Sequence, residues 1–155
     1  GTKVLPLALL QVSFTQDVPP PGTPLVDAQD RVVGIVFQAS GNANVGYAIP
    51  AEAVHRVRRD LINGGGLRRG WLGLSLNAES KSPKVVKVLP NSPAANAGIK
   101  PNDVLLAVGS RQISEYADAA DAFFYLVPGQ PVRVKLRRGN HPLEVTVTPT
   151  RPQAE

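Results

Sequence analysis

The sequence predicts a mainly β protein with a few helices, of the α+β class, arranged as two units in series. Three observations carry this. Short apolar, β-branched runs alternate with turn residues along most of the chain. The triplet Gly64-Gly65-Gly66, followed by Arg68 and Arg69, interrupts the pattern, which restarts at Trp71. Three segments carry helix start and stop residues. A chain of 155 residues that is 43 % hydrophobic and 19 % charged suits one domain or two small ones.

In the first unit, residues 3–14 read as one or two apolar strands; the longest apolar stretch, Val4 to Val12, carries Pro6 and Gln11. Asp17 to Pro24 is a proline-rich turn. Proline fixes φ and lacks a donor, which keeps this stretch out of a central ladder. Residues 24–26 and 31–37 form a hairpin around Asp27-Ala28-Gln29-Asp30. Ser40 to Asn44 is a loop, and Val45 to Ile49 a short strand. Pro50 then opens a helix, where its missing N–H costs nothing. Val54, Val57, Leu61 and Ile62 make its apolar stripe, with His55, Arg56, Arg58 and Arg59 largely off it. The glycine triplet stops it.

In the second unit, Trp71 to Leu76 and Lys84 to Leu89 read as strands. Ser92 to Ala97 is a short helix: Ser92 caps it, Pro93 takes its first position and Gly98 its left-handed end. Residues 99–103 make a turn into the strand Val104–Val108. Ser114 caps a second helix that runs to about Leu126 and is ended by Pro128 and Gly129. Val132–Arg137 and Leu143–Thr148 form a last hairpin around Gly139-Asn140. Residues 151–155 are a fraying tail.

Three features of this second unit belong together: Arg69-Gly70-Trp71-Leu72-Gly73-Leu74; the stretch Val85 to Asp103 with Asn-Ser-Pro-Ala-Ala-Asn-Ala-Gly-Ile at its centre; and the helix from Tyr116 followed by Pro-Gly and a hairpin. In this order they resemble a PDZ domain of the permuted bacterial type, over nearly all of residues 68–149. Such domains usually carry Gly-Asp where this chain has Asn102-Asp103. Asn is the best non-glycine residue for a left-handed position, so the turn survives.

The resemblance implies a module that binds the C-terminal or unfolded segments of other proteins. A free carboxylate needs several donors converging on one point, and successive N–H groups around Leu72-Gly73-Leu74 supply them as an anion nest. Gly73 permits the curve. Leu72 and Leu74 are expected to face the terminal side chain of the peptide. The peptide adds as a strand along Leu74-Ser75-Leu76, under the helix, where Ala120 and Phe124 complete the groove. Phe123 and Phe124 lie about 100° apart on that helix, so one is core and the other lines the groove. Trp71 opens the binding stretch, although its ring reads as half-buried packing. Arg68 and Arg69 add attraction for the carboxylate. The small residues Ala117, Ala119, Ala120 and Ala122 thin the helix and leave room for a bulky apolar terminal side chain.

Pro24-Leu25-Val26, the hairpin with Val32 to Ile35, and Gly46-Tyr47-Ala48-Ile49-Pro50 before a helix resemble the end of a trypsin-like domain of the HtrA (DegP-like) serine protease family. The match runs from about Phe14 to Gly66. Residues 1–66 are thus expected to be the C-terminal remnant of a protease barrel with its final helix, 67–150 the PDZ domain and 151–155 a tail. The family motif Gly-Asn-Ser-Gly-Gly-Pro-Leu-Val, aligned on Pro24, puts Pro21 at the nucleophile. Proline has no hydroxyl to attack a carbonyl and no N–H for an oxyanion hole. The expectation is a non-catalytic homologue. Two other readings stand beside it: the targeting portion of an active serine endopeptidase, and a structural module pairing through exposed strand edges with a copy of itself or with the rest of a protease domain. Family resemblance implies a bacterial envelope or periplasmic setting. Gly1 in place of Met suggests a processed or recombinant start and a piece of something longer.

Several chemistries are disfavoured. The chain has no Cys, which removes disulfides and thiolate catalysis, and only two His, which makes a His metal cage improbable. No cofactor is expected. His55, His141, Ser13 and Ser40 have no sequence neighbours that suggest a catalytic set. The net charge of +5 permits weak attraction to acidic partners. The basic cluster Arg56, Arg58, Arg59, Arg68 and Arg69 reads as a solvated face. No basic–aromatic interleaving suggests nucleic-acid binding, and no apolar run is long enough to span a membrane.

Overall fold

In a computed structural model, residues 7–42, 44–63 and 66–152 are described. The chain divides into two compact units, residues 7–67 and 68–152. Residues 3–6, Ala43, Gly64, Gly65 and the end of the tail lie outside the described residues.

The first unit holds one antiparallel sheet. Its strands are β1 (Leu10–Ser13), β2 (Pro24–Val26), β3 (Val32–Ala39) and β4 (Val45–Pro50), in the order β1-β4-β3-β2. Pro24 sits in the edge strand β2, where a missing N–H leaves no gap in a central ladder. The β2–β3 turn is built by Asp27, whose Oδ1 accepts from the amides of Gln29 (2.9 Å) and Arg31 (3.0 Å). The Arg31 side chain, hydrogen-bonded to Asp27 at 2.8 Å, holds that carboxyl below its usual range. The sheet does not close into a barrel among the described residues, and Val26, Val32 and Val33 are exposed on it.

Helix α1 (Ala51–Ile62) follows Pro50, which is both the last residue of β4 and the N-cap. Its buried side is not the expected aliphatic stripe. Ala53, Arg56 and Asp60 are buried, while Leu61 and Ile62 are 59 % and 68 % exposed. The Arg56 guanidinium meets the Asp60 carboxylate at 2.5 Å one turn away. That pairing is what lets an arginine go inside, and it removes Arg56 from the solvated basic cluster.

The second unit contains β5 (Leu74–Leu76), β6 (Val85–Val88), α2 (Pro93–Asn96), β7 (Val104–Val108), β8 (Arg111–Gln112), α3 (Tyr116–Phe124), β9 (Val132–Arg138) and β10 (His141–Val147). They form a four-stranded antiparallel sheet, β10-β9-β7-β8, and a two-stranded ribbon, β5-β6. The first strand is shorter than expected. Trp71 makes only a bridge to Thr150, and the ladder starts at Leu74. Strand β8 was not expected at all. Alternation on β9 buries Val134 and Leu136 and exposes Arg133, Lys135 and Arg137. Leu136 faces Leu105 across the β7–β9 pair, both nearly free of solvent. Each such leucine contributes roughly 1.5–3 kcal/mol.

Helix α2 forms as its sequence dictates. Ser92 Oγ accepts from the Ala95 amide (3.2 Å), and Gly98 ends it at φ +81°. Asn102 takes the left-handed position at φ +75°. The turn closes on Asp103, a fully buried carboxylate. Burial pushes its pKa up; the Arg138 guanidinium at 2.8 Å and the Lys100 amide at 2.9 Å outweigh this and hold it below the usual range. Helix α3 begins one residue later than expected. Asp118 accepts from the amides of both Ser114 and Glu115, so Glu115 is the cap, in a reciprocal capping box. The helix ends at Phe124, before the expected Leu126.

Candidate functional site: a groove between a strand edge and a helix

The ribbon β5-β6 leaves one edge of β5 without a strand neighbour among the described residues. Helix α3 lies along the same side. Between them is a cavity of ≈ 370 Å³ lined by Arg69, Gly70, Leu74, Ser75, Leu76, Tyr116, Ala120, Phe123 and Phe124. That volume is within the range that holds small ligands or a peptide end.

The loop leading into β5 is held by its carbonyl groups. The carbonyl of Trp71 accepts from the Thr150 amide (3.0 Å), that of Leu72 from Ala94 (2.9 Å) and that of Gly73 from Leu89 (2.8 Å). No peptide bond among the described residues is cis. In a planar trans peptide the next N–H points opposite to the carbonyl. The amides of Leu72, Gly73 and Leu74 therefore point away from the segments that anchor the loop. Among the described residues, the Leu72 and Gly73 amides donate to no protein acceptor. The preceding amides differ: Gly70 donates to Leu126 (3.2 Å) and Trp71 to Thr150 (2.7 Å).

Two glycines make this loop possible. Gly73 has φ +75°, and a Cβ there would fall 2.2 Å from the Cβ of the buried Ser92. Its close approach is thus to the cap of α2. At Gly70, a Cβ would meet Leu126 at 2.7 Å, so this glycine lets the loop pass the end of α3.

Helix α3, the opposite wall, is held from β8. Arg111 pairs with Asp121 (3.1 Å) and lies over the Tyr125 ring at 3.5 Å from its centroid. Ala119 and Ala122 face the core and are almost fully buried. Phe124 stacks edge-on against Tyr125 at 5.2 Å.

Of the expected peptide-binding residues, Leu74, Ser75, Leu76, Ala120, Phe124 and Arg69 line the groove. Leu72 does not: it is 5 % exposed and belongs to the core. Only its amide faces outward, because the preceding Trp71 carbonyl is tied to Thr150, while its own carbonyl bonds to Ala94 and its side chain packs in the core. Trp71 lines a different hollow, with Asn91, Pro93, Asn96, Thr148 and Thr150. Gly73 and Arg68 are not among the lining residues. Both phenylalanines line the groove, and Phe123 also packs on the core, so the expected division between them fails. Rings this large span more than one helix face. Tyr116, unpredicted as a contact, sits at the first turn of α3; its position opening that helix was the available signal. Pro21 follows Pro20 in a tight turn where Gly22 N–H donates to Val36 (2.8 Å) and Thr23 N–H to Pro20 (3.2 Å). His55 and His141 are exposed. No cluster of metal-binding side chains occurs among the described residues, and no described helix is long and apolar enough to cross a membrane.

A strand edge and a helix flanking a cavity, with a glycine loop turning its amides outward at one end, define the class. The PDZ domain family model matches residues 70–148, and the chain belongs to the PDZ domain family. It is also homologous to the HtrA/DegP serine proteases. It is 31 % identical over 143 residues to a "Probable periplasmic serine endoprotease DegP-like" of Brucella suis, with 82 % of this chain and 28 % of that protein aligned. It is 27 % identical over 143 residues to "Periplasmic pH-dependent serine endoprotease DegQ" of Escherichia coli, covering 82 % of this chain and 31 % of that one. Among solved structures it is similar to "HtrA-type protease AlgW with decapeptide", with a TM-score of 0.56 at 25 % identity, over 85 % of this chain and 46 % of the other. A serine endoprotease from Yersinia pestis gives a TM-score of 0.53 at 29 % identity, over 84 % of this chain and 47 % of that one. The chain therefore spans under a third of the length of these curated relatives.

Proposed function

We propose that the groove captures the C-terminal end of a protein or peptide. The observation that carries this is the set of outward amides at Leu72, Gly73 and Leu74 beside the uncovered edge of β5. Those N–H groups suit a terminal carboxylate, and the β5 edge suits an added strand. Leu74, Leu76, Ala120, Phe123 and Phe124 suit a bulky apolar terminal side chain, and Arg69 adds attraction for the negative end. The solved AlgW complex with a decapeptide is consistent with this use of the fold.

Residues 1–66 are read as the last strands and helix of an HtrA-type protease unit and 67–150 as its PDZ domain. With Pro21 at the nucleophile position, and the neighbouring amides of Gly22 and Thr23 engaged by the carbonyls of Val36 and Pro20, this chain binds and does not cleave. The periplasmic setting of the named relatives supports the same setting here.

The test is a titration of the full chain with one apolar-ended peptide carrying either a free or an amidated C-terminus. Amidation is expected to weaken binding at least ~10-fold, because charge-assisted hydrogen bonds are lost. Equal affinities would remove the carboxylate mechanism. Hydrolysis of a serine-protease substrate by the purified chain would remove the non-catalytic reading.

A further inference from the structure

The positive charge is unevenly placed. Residues 68–152 hold twelve Lys and Arg against six Asp and Glu, whereas residues 1–67 hold five of each. The second unit thus carries a net +6, and its acids are mostly engaged. Asp103 is paired with Arg138 and Asp121 with Arg111. Asp118 and Glu115 form the cap of α3.

The remaining cations include a group on one sheet face. Arg133, Lys135 and Arg137 alternate with the buried Val134 and Leu136 on β9, so all three project away from the core, ~6.8 Å apart along the strand. Val104 pairs with Arg137 on one side and bridges to Lys84 on the other. Directly opposite residues share a face, which places exposed Lys84 beside this row, ~10 Å from Arg137. On β10 the partners of Arg133, Lys135 and Arg137 are Thr146, Glu144 and Pro142. Four cations therefore face one carboxylate, and among the described residues none of the four is in an ion pair.

We propose that this face rests on a membrane surface rich in anionic phospholipid. Its charge complements such a surface, and the cations are spread over a sheet, not gathered around a hollow that would fit one small anion. The aromatic residues of the unit lie on the loop at Trp71 and on or next to α3, not on this face, so it offers no platform for stacking bases. Juxtamembrane basic residues each contribute about 1 kcal/mol, so a net three charges correspond to partitioning on the order of 100-fold over a neutral bilayer. The attachment is peripheral, reversible and weakened by salt.

The test is cosedimentation of the full chain with vesicles of mixed phosphatidylglycerol and phosphatidylcholine, and with phosphatidylcholine alone. Preferential binding to the mixed vesicles at low salt is expected. The double variant Arg133→Glu/Arg137→Glu is expected to lose it by at least ~10-fold, with unchanged circular dichroism and peptide affinity. Lys81→Glu/Lys87→Glu, which makes the same change in net charge elsewhere on the unit, is expected to keep most of it. Equal loss in both variants, equal binding to both vesicle types, or duplex DNA displacing the vesicles at the same salt would each overturn the proposal.

Discussion

Replacing Gly73 by alanine tests the loop that shapes the groove. At φ +75° a residue with a Cβ costs about 1–2 kcal/mol. The added methyl would also start 2.2 Å from the Ser92 Cβ. Ser92 cannot yield freely, because it is fully buried and caps α2. Forcing such an overlap costs typically ~1–3 kcal/mol, for a total of about 2–5 kcal/mol. Gly98→Ala separates the two effects. That glycine has φ +81° but nothing within 4 Å of where a methyl would stand, so only the backbone cost applies. Urea denaturation of the full chain can be followed by Trp71, the sole tryptophan, two residues from Gly73. The expected order of stability is wild type, then Gly98→Ala lower by about 1–2 kcal/mol, then Gly73→Ala lower by a further ~1–3. If Gly73→Ala loses no more than Gly98→Ala, the close packing of the loop on the α2 cap is not what selects glycine there.

Ala120→Leu is expected to fill the groove from the α3 side. Ala120 is only partly buried, so the expected stability change is within about 0.5 kcal/mol, while peptide affinity falls at least ~10-fold in calorimetric titration. Asp103→Asn removes charge from the buried clasp and is expected to cost roughly 1.5–3 kcal/mol at neutral pH. The Asp103 carboxyl is held below its unfolded value, so the folded state binds fewer protons. Its contribution is therefore complete above about pH 4 and is lost as pH falls through the lower folded value. Denaturation curves of wild type and Asp103→Asn should converge below that pH; a constant gap would show that the charge is not the source.

Much of the fold was legible because its signals are local. Ser92, Pro93 and Gly98 start and end α2 within six residues of one another, and Asn102 takes a left-handed turn for its own conformational reasons. The alternation on β9 and β10 marked the last hairpin. The misses arose where partners are distant or compete. Ser114 and Glu115 are both able to cap a helix, and Asp118 settled the matter by accepting from both amides. In α1 the aliphatic stripe was read from hydropathy, whereas Arg56 could be buried because Asp60 stands one turn away. At the groove, the strand and helix walls were expected from Leu74 to Leu76, Ala120 and Phe124. Leu72 was misplaced, since periodicity does not reveal that its side chain packs into the core.

The sequence by itself determined the two-unit organisation, the kinds of element, the loop that turns at Gly73 and the proline standing at Pro21, because each depends on backbone preferences or functional groups that a residue carries anywhere. Only the tertiary structure decided which amides of that loop face outward, which side chains line the groove and which cations share the open face of the sheet. Those depend on hydrogen bonds and strand pairings between residues far apart in the chain: Trp71 with Thr150, Leu72 with Ala94, Gly73 with Leu89, and Lys84 and Arg137 on either side of Val104.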